Sequence, residues 1–265
     1  MNTNATFIQR YSLPFYLILT PLLSNAIAFF LPIPTVVIAL LLVLIPVIMA
    51  ILLTALAEGR QSLSTLLKKL FQWRIGFKWY AITLCLSVGI ILASSILAYL
   101  LRWTPTLQFS IPVASMLIVN GVVSMLAGVL EEFGWRGYAL PRLLKYRGPL
   151  SAALLIGIAH GILHIGISLN DGRPWVPSFL SPLASSVILT WLFVHTRGNL
   201  TMAILYHFVL DFTPQFFLLP LGLTNAQLIW SQTIVNLAVA FVLVLVFSVN
   251  LQRSLAKEPI IAEAR

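Results

Sequence analysis

Long apolar runs separated by short polar breaks dominate this chain of 265 residues. A helix needs about 20 mainly apolar residues to cross a hydrocarbon layer of roughly 30 Å. Eight stretches approach that length, at about residues 13–31, 35–57, 79–101, 111–135, 149–169, 178–195, 199–219 and 226–250. Pro32 and Pro34 make a tight turn between the first two, and Gly148 with Pro149 restarts the chain before the fifth. The pattern predicts an all-α polytopic integral membrane protein of about eight transmembrane helices. Residues 1–265 form a single membrane domain, with no repeat, linker or low-complexity segment.

Two segments qualify this picture. QSLSTLLKKLFQWRIGFKWY, residues 61–80, is basic and amphipathic, which predicts a helix lying along the inner membrane surface. The first apolar run ends near SNAIAFF, which loosely imitates a signal-peptide cleavage site. Hydrophobic residues continue past it, so the run reads as an uncleaved first span.

Composition agrees: 60% of residues are hydrophobic, 9% are charged and the mean hydropathy is +0.99, which excludes a soluble globular domain. The single cysteine, Cys85, excludes an intramolecular disulfide and any CxxC metal or redox motif. Charge then sets orientation. With the N-terminus inside, 14 of the 16 Lys and Arg residues fall on the inner side, leaving only Arg102 and Arg173 outside. The positive-inside rule therefore predicts cytoplasmic N- and C-termini, in the cell membrane if the source is a bacterium. The net charge of +9 reflects this topology and contact with anionic membrane lipid. Nucleic acid is not an expected partner, because the basic residues are scattered over loops without interleaved exposed aromatics.

Polar residues inside the apolar runs carry the chemistry. Only seven residues are acidic, and Glu131, Glu132 and Asp211 lie in or at the edge of such runs. An ionisable residue at mid-bilayer costs about 2.5–3.5 kcal/mol even on a lenient scale, so this placement marks a site or a polar pathway. Glu132 and Arg136, His160 and His164, and His207 and Asp211 each stand four apart, one pair per span and each on a single helix face. Counting about 1.5 Å of rise per residue from residue 147 brings Glu131 and His164 to nearly the same depth. His207 lies roughly ten residues, or about 15 Å, beyond the turn at Gly198. The three pairs are expected to share one cavity in the inner half of the membrane, opening toward the cytoplasm. Gly157 and Gly161 form a GxxxG pattern that lets a neighbouring helix pack close beside the histidines.

Three classes of function suit such a set. Single intramembrane His or Glu–Arg pairs can be interhelical glue, as in a non-catalytic or weakly catalytic interaction or immunity protein. Carboxylates and histidines also build the relays of proton-coupled transporters, although the internal repeats and paired broken helices of transporters are missing from the sequence. Peptide hydrolysis needs a base, an oxyanion stabiliser and a proton donor for the leaving amine, and these residue types supply all three. The chain has no HExxH, yet a zinc site can be drawn from a glutamate with His164 and His207. A metal-free, glutamate-activated water would use the same atoms.

The motifs carry a resemblance. EEFGWRGYALPRL resembles the EExxxR signature of the CPBP membrane proteins, a group of CAAX-type prenyl endopeptidases and bacteriocin-processing proteins also described as intramembrane metalloproteases. GIAHGILHIG is similar to that family's second motif, an aromatic residue followed four positions later by histidine. LTMAILYHFVLD is similar to its last, a histidine followed four positions later by Asn or Asp. The resemblance places a protease-like core at about residues 111–219. It implies an intramembrane endopeptidase that cleaves a membrane-associated peptide or protein, prenylated or not, with glutamate-activated water. Glu131 and Glu132 would include the base, Arg136 would orient them, and His164, His207 and Asp211 would complete the site. A divalent metal such as zinc is the one cofactor the family suggests. Two positions depart from its pattern. His160 stands where Phe or Trp is more usual, which fits a packing role, and Asp211 stands where many members have Asn. An ionised Asp cannot donate to an oxyanion, so Asp211 is either protonated or orients His207.

Overall fold

The computed structural model describes residues 7–255 along the backbone and 7–246 in side-chain detail. Lys257 and Arg265, counted above toward the inner side, lie outside the described residues, as does the side chain of Arg253. The α-helices are α1 (Phe7–Phe30), α2 (Thr35–Lys68), α3 (Phe77–Leu100), α4 (Ala114–Glu132), α5 (Leu140–Leu143), α6 (Pro149–Asn170), α7 (Trp175–His195), α8 (Leu200–Phe212), α9 (Pro214–Phe217) and α10 (Asn225–Leu255). Between α4 and α5 the chain winds as a π-helix, Phe133–Ala139. Among the described residues, eight helical units are long and apolar enough to cross a membrane, matching the eight expected runs. The protein is an integral membrane protein.

Neighbouring helices form a closed circuit, in which α1 packs on α6, α6 on α7, α7 on α10, α10 on α3, α3 on α8, α8 on α4, α4 on α2, and α2 back on α1. Small residues allow the tightest of these approaches. A Cβ added at Gly157 would lie 2.9 Å from Leu183 Cα, and one at Gly161 only 2.6 Å from Phe179 O, so the GxxxG face is where α7 seats on α6. On the opposite side of α6, Asn25 of α1 spans one turn of backbone. Its Nδ2 donates to Ile162 O (2.8 Å) and its Oδ1 accepts from Gly166 N (2.9 Å).

The inner-surface segment differs from expectation. Gly59 adopts φ 81°, open to glycine at no steric cost, and kinks α2 there. Helix then continues only to Lys68, with a 3-10 turn at Lys69–Phe71, and α3 starts at Phe77. The single helix expected over residues 61–80 is therefore two helical pieces and a link. Asn199 at the start of α8 donates to the Gln72 carbonyl (2.5 Å), which holds that link against the end of α8.

Candidate active site

Glu131 and Glu132 end α4, and Arg136 lies in the π-helix that follows. Such wide turns are rare and gather at functional sites. Arg136 Nη1 lies 2.9 Å from both Glu132 oxygens, and Nη2 donates to Ser186 Oγ of α7 at 3.0 Å. Both charged side chains are fully buried. Glu132 Oε1 is also 2.8 Å from His207 Nδ1, and the other nitrogen of that ring is 3.3 Å from Asp211 Oδ2. A histidine that donates to two carboxylates must carry both ring protons. The outcome is a chain of contacts, Ser186–Arg136–Glu132–His207–Asp211, that ties α7, the π-helix, α4 and α8 together. Of the two roles open to Asp211, the geometry matches the one in which it orients His207.

Glu131 belongs to a second set. Its Oε2 lies 2.9 Å from His160 Nε2, which in turn lies 3.2 Å from His164 Nε2. The His160 ring stacks on Trp135, with centroids 5.1 Å apart. His160 thus combines the packing role expected of it with a polar contact to Glu131. One ring nitrogen carries at most one hydrogen, so His160 Nε2 cannot donate to both of its neighbours. The three ligand atoms of Glu131, His160 and His164 lie within 4.8 Å of one another, a two-histidine, one-carboxylate set of the kind that holds catalytic zinc. The donors fit such an ion. The support behind them is less complete, because His160 Nδ1 is buried with no hydrogen-bond partner, where zinc-bound histidines usually donate that proton. The ligand set drawn from sequence paired a glutamate with His164 and His207. The structure replaces His207 with His160, because Glu132 and Asp211 engage the His207 ring.

Both sets line one cavity of about 250 Å³. Glu131, Glu132, Arg136, His164, His207 and Asp211, all singled out from sequence, are brought together in its wall. Side-chain exposure rises from Glu132 (0%) and Glu131 (5%) through His207 (15%) to Arg173 (33%) and Asp211 (45%). The cavity therefore opens at the end of the bundle that carries the α6–α7 turn. Counting along the sequence had predicted an opening toward the α5–α6 turn instead. Phe133, Trp135, Tyr138 and Leu140, none more than 1% exposed, fill that end and close it. Sequence reasoning also missed the hydroxyls of the wall, namely Tyr206, Ser168, and Ser178, Ser181 and Ser185 of α7. The α7 serines recur at spacings of three and four, a helical stripe that could have been read as a polar face.

Residues 113–213 match the family model of the type II CAAX prenyl endopeptidase Rce1-like proteins. This match supports the resemblance to the CPBP family. The matched segment begins just before α4 and ends just after α8, so it contains every acidic and histidine residue of the site. The chain is also similar to a CAAX prenyl protease 2 of Methanococcus maripaludis. The two are 26% identical over 188 residues, covering 63% of this chain and 67% of the relative.

Proposed function

We propose that this protein is a CPBP-type intramembrane endopeptidase that hydrolyses a peptide bond of a membrane-associated peptide or protein. The observation that carries the reading is the convergence of Glu131, His160 and His164 at the base of a cavity, beside a second carboxylate already neutralised by Arg136 and His207. The family-model match and the named relative support a protease of the CAAX prenyl type.

Glu132 is committed to Arg136 and His207, which leaves Glu131 as the base. Glu131 takes a proton from a water that attacks the scissile carbonyl carbon, forming the C–O bond. The Tyr206 hydroxyl, on the same wall and fixed before the reaction starts, is a hydrogen-bond donor for the oxyanion. As the C–N bond breaks, the proton on Glu131 passes to the leaving amine. Glu131, His160 and His164 are the residues that would hold a divalent cation such as zinc, which when bound supplies an activated water and a polarised carbonyl.

The test is cleavage of membrane-anchored and prenylated fluorogenic peptides by purified protein in lipid, with and without chelator. Glu131→Gln and His164→Ala are expected to lower the rate by at least about 100-fold, the low end of what a general base contributes. Folded variants that keep the wild-type rate would sink the assignment. Inhibition by chelator, reversed by added zinc, would add the cation to the mechanism.

A further inference from the structure

We propose that the cleft between the α2–α3 link and the α7–α8 turn binds the headgroup of an anionic phospholipid, with Arg74 and Arg197 holding its phosphate. The cleft shares no lining residue with the carboxylate cavity, and the proposal does not rest on the endopeptidase reading.

The cleft has a volume of about 520 Å³ and is open to the surface. Its buried polar groups already have partners. Asn199 donates to the Gln72 carbonyl and accepts from Met202 N at 3.1 Å, and the Thr196 hydroxyl donates to Leu192 O at 2.8 Å. The Trp73 carbonyl likewise accepts from the Tyr80 hydroxyl at 2.5 Å. With these groups occupied, what the cleft offers a ligand is chiefly the two exposed guanidinium groups of Arg74 and Arg197.

Charge makes this an anion site. Among the described residues, the end of the bundle that carries the cleft has one carboxylate, Glu58, and Arg142 holds it at 2.6 Å. Neither Arg74 nor Arg197 has an acidic partner among the described residues. A phosphate diester presents two free oxygens that share one negative charge, and these match the parallel N–H pairs of a guanidinium. The Arg74 guanidinium carbon lies 5.4 Å from the centroid of the Trp73 ring, a cation–π contact that steadies the group and leaves its N–H groups for a ligand.

The surroundings identify what carries the anion. Phe71, Trp73 and Phe77, all along the link, are 75%, 60% and 84% exposed. Exposed rings beside basic residues suit the boundary between headgroups and acyl chains. A small soluble anion would leave these rings uncovered, whereas a phospholipid sets its phosphate between the arginines and its chains over the aromatic surface. A zwitterionic headgroup would bring its ammonium up to two cations with no carboxylate beside them, so a lipid of net negative charge is the better fit. The bound headgroup also joins Arg74 of the link to Arg197 of the turn, reinforcing the bond from Asn199 to Gln72 that already ties the two.

The full chain, purified in detergent, is titrated with phosphatidylglycerol, phosphatidylcholine or inorganic phosphate. Native mass spectrometry counts bound lipid, and thermal unfolding reads stability. The wild type is expected to bind one phosphatidylglycerol at least about tenfold more tightly than phosphatidylcholine and to melt higher with it. Arg74→Gln/Arg197→Gln should bind phosphatidylglycerol at least about tenfold more weakly, yet melt as wild type without lipid, because neither arginine is in an ion pair. Lys145→Gln/Arg147→Gln removes the same charge from the α5–α6 turn at the same end of the bundle and should keep wild-type binding. Equal affinity for the two lipids, or an equal loss in both double variants, would reveal diffuse attraction and overturn the site. Inorganic phosphate that competes as well as phosphatidylglycerol would reassign the cleft to a free anion and overturn the lipid. If the glutamine variant does not fold, Arg74→Lys/Arg197→Lys keeps the charge but loses the paired N–H groups, and undiminished lipid binding by it overturns the arginine contacts.

Discussion

Arg136 is fully buried within a membrane span, where its Nη1 is held by Glu132 and its Nη2 by Ser186. Ser186→Ala leaves its Nη2 without the α7 hydroxyl, and an unsatisfied buried donor costs about 1–3 kcal/mol. The expected outcome is a lower apparent melting temperature in detergent, together with slower cleavage, because Glu132 loses its anchor. Ser178→Ala, whose hydroxyl only bonds back to the Pro174 carbonyl at the start of its own helix, should leave the melting temperature nearly unchanged. An equal effect of Ser186→Ala and Ser178→Ala would show that Ser186 is no support. Single positions were legible in the sequence where their chemistry clashed with their surroundings. A carboxylate in an apolar run is expensive, so Glu131, Glu132 and Asp211 could be picked out without knowing any contact. Ser186 could not, since a serine satisfies its own hydroxyl within a helix at little cost and leaves no mismatch to notice. His160 lay between these cases. Its i, i+4 relation to His164 was visible, but packing against Trp135 and hydrogen bonding to Glu131 make different demands on the ring, and only the distances reveal that it meets both.

Helix pairing was legible to the extent that it depends on size. The GxxxG pattern announced a close neighbour, and α7 is that neighbour because its backbone reaches where a side chain at Gly161 would stand. Gly161→Val should therefore push α6 and α7 apart, at a cost of about 1–3 kcal/mol by the usual penalty for overpacking. It should also slow cleavage by moving His160 and His164. Gly148→Ala, at a glycine with nothing within 4 Å of an added Cβ, serves as the control and should melt as wild type. Thermal unfolding of both in detergent checks the pair, and a Gly161→Val protein as stable as the control would contradict the packing account. Other features of the helices were hidden because they answer to partners distant in sequence. Asn25 reaches a turn of α6 that is 137 residues away, so no local window contains both. The π-helix was hidden too, since the wide winding depends on how Arg136 is held by α7. Over residues 61–80, amphipathic periodicity suggested one helix, and the contact from Asn199 to Gln72 divides it.

Span number and the distribution of charge were the most legible properties of the molecule, because the bilayer imposes them on every membrane protein regardless of its neighbours. The end at which the cavity opens was not. That depends on which side chains fill the opposite end, and Phe133, Trp135 and Tyr138 read in sequence as ordinary span residues. Their packing has a bioenergetic consequence. An energised membrane stores work as a voltage, and a hydrated cavity open at only one end would thin the insulation at that spot. The potential then falls mainly across the ring-packed floor, where moving one elementary charge involves about 2.3 kcal/mol per 100 mV. Trp135→Ala is expected to raise proton flux through liposomes containing the protein, measured with an entrapped pH-sensitive dye, and flux equal to wild type would show that the floor is not the barrier. Trp135 on this account acts as a gasket does in a pressure vessel, leaving the carboxylates open to water on one side without discharging a gradient across the membrane.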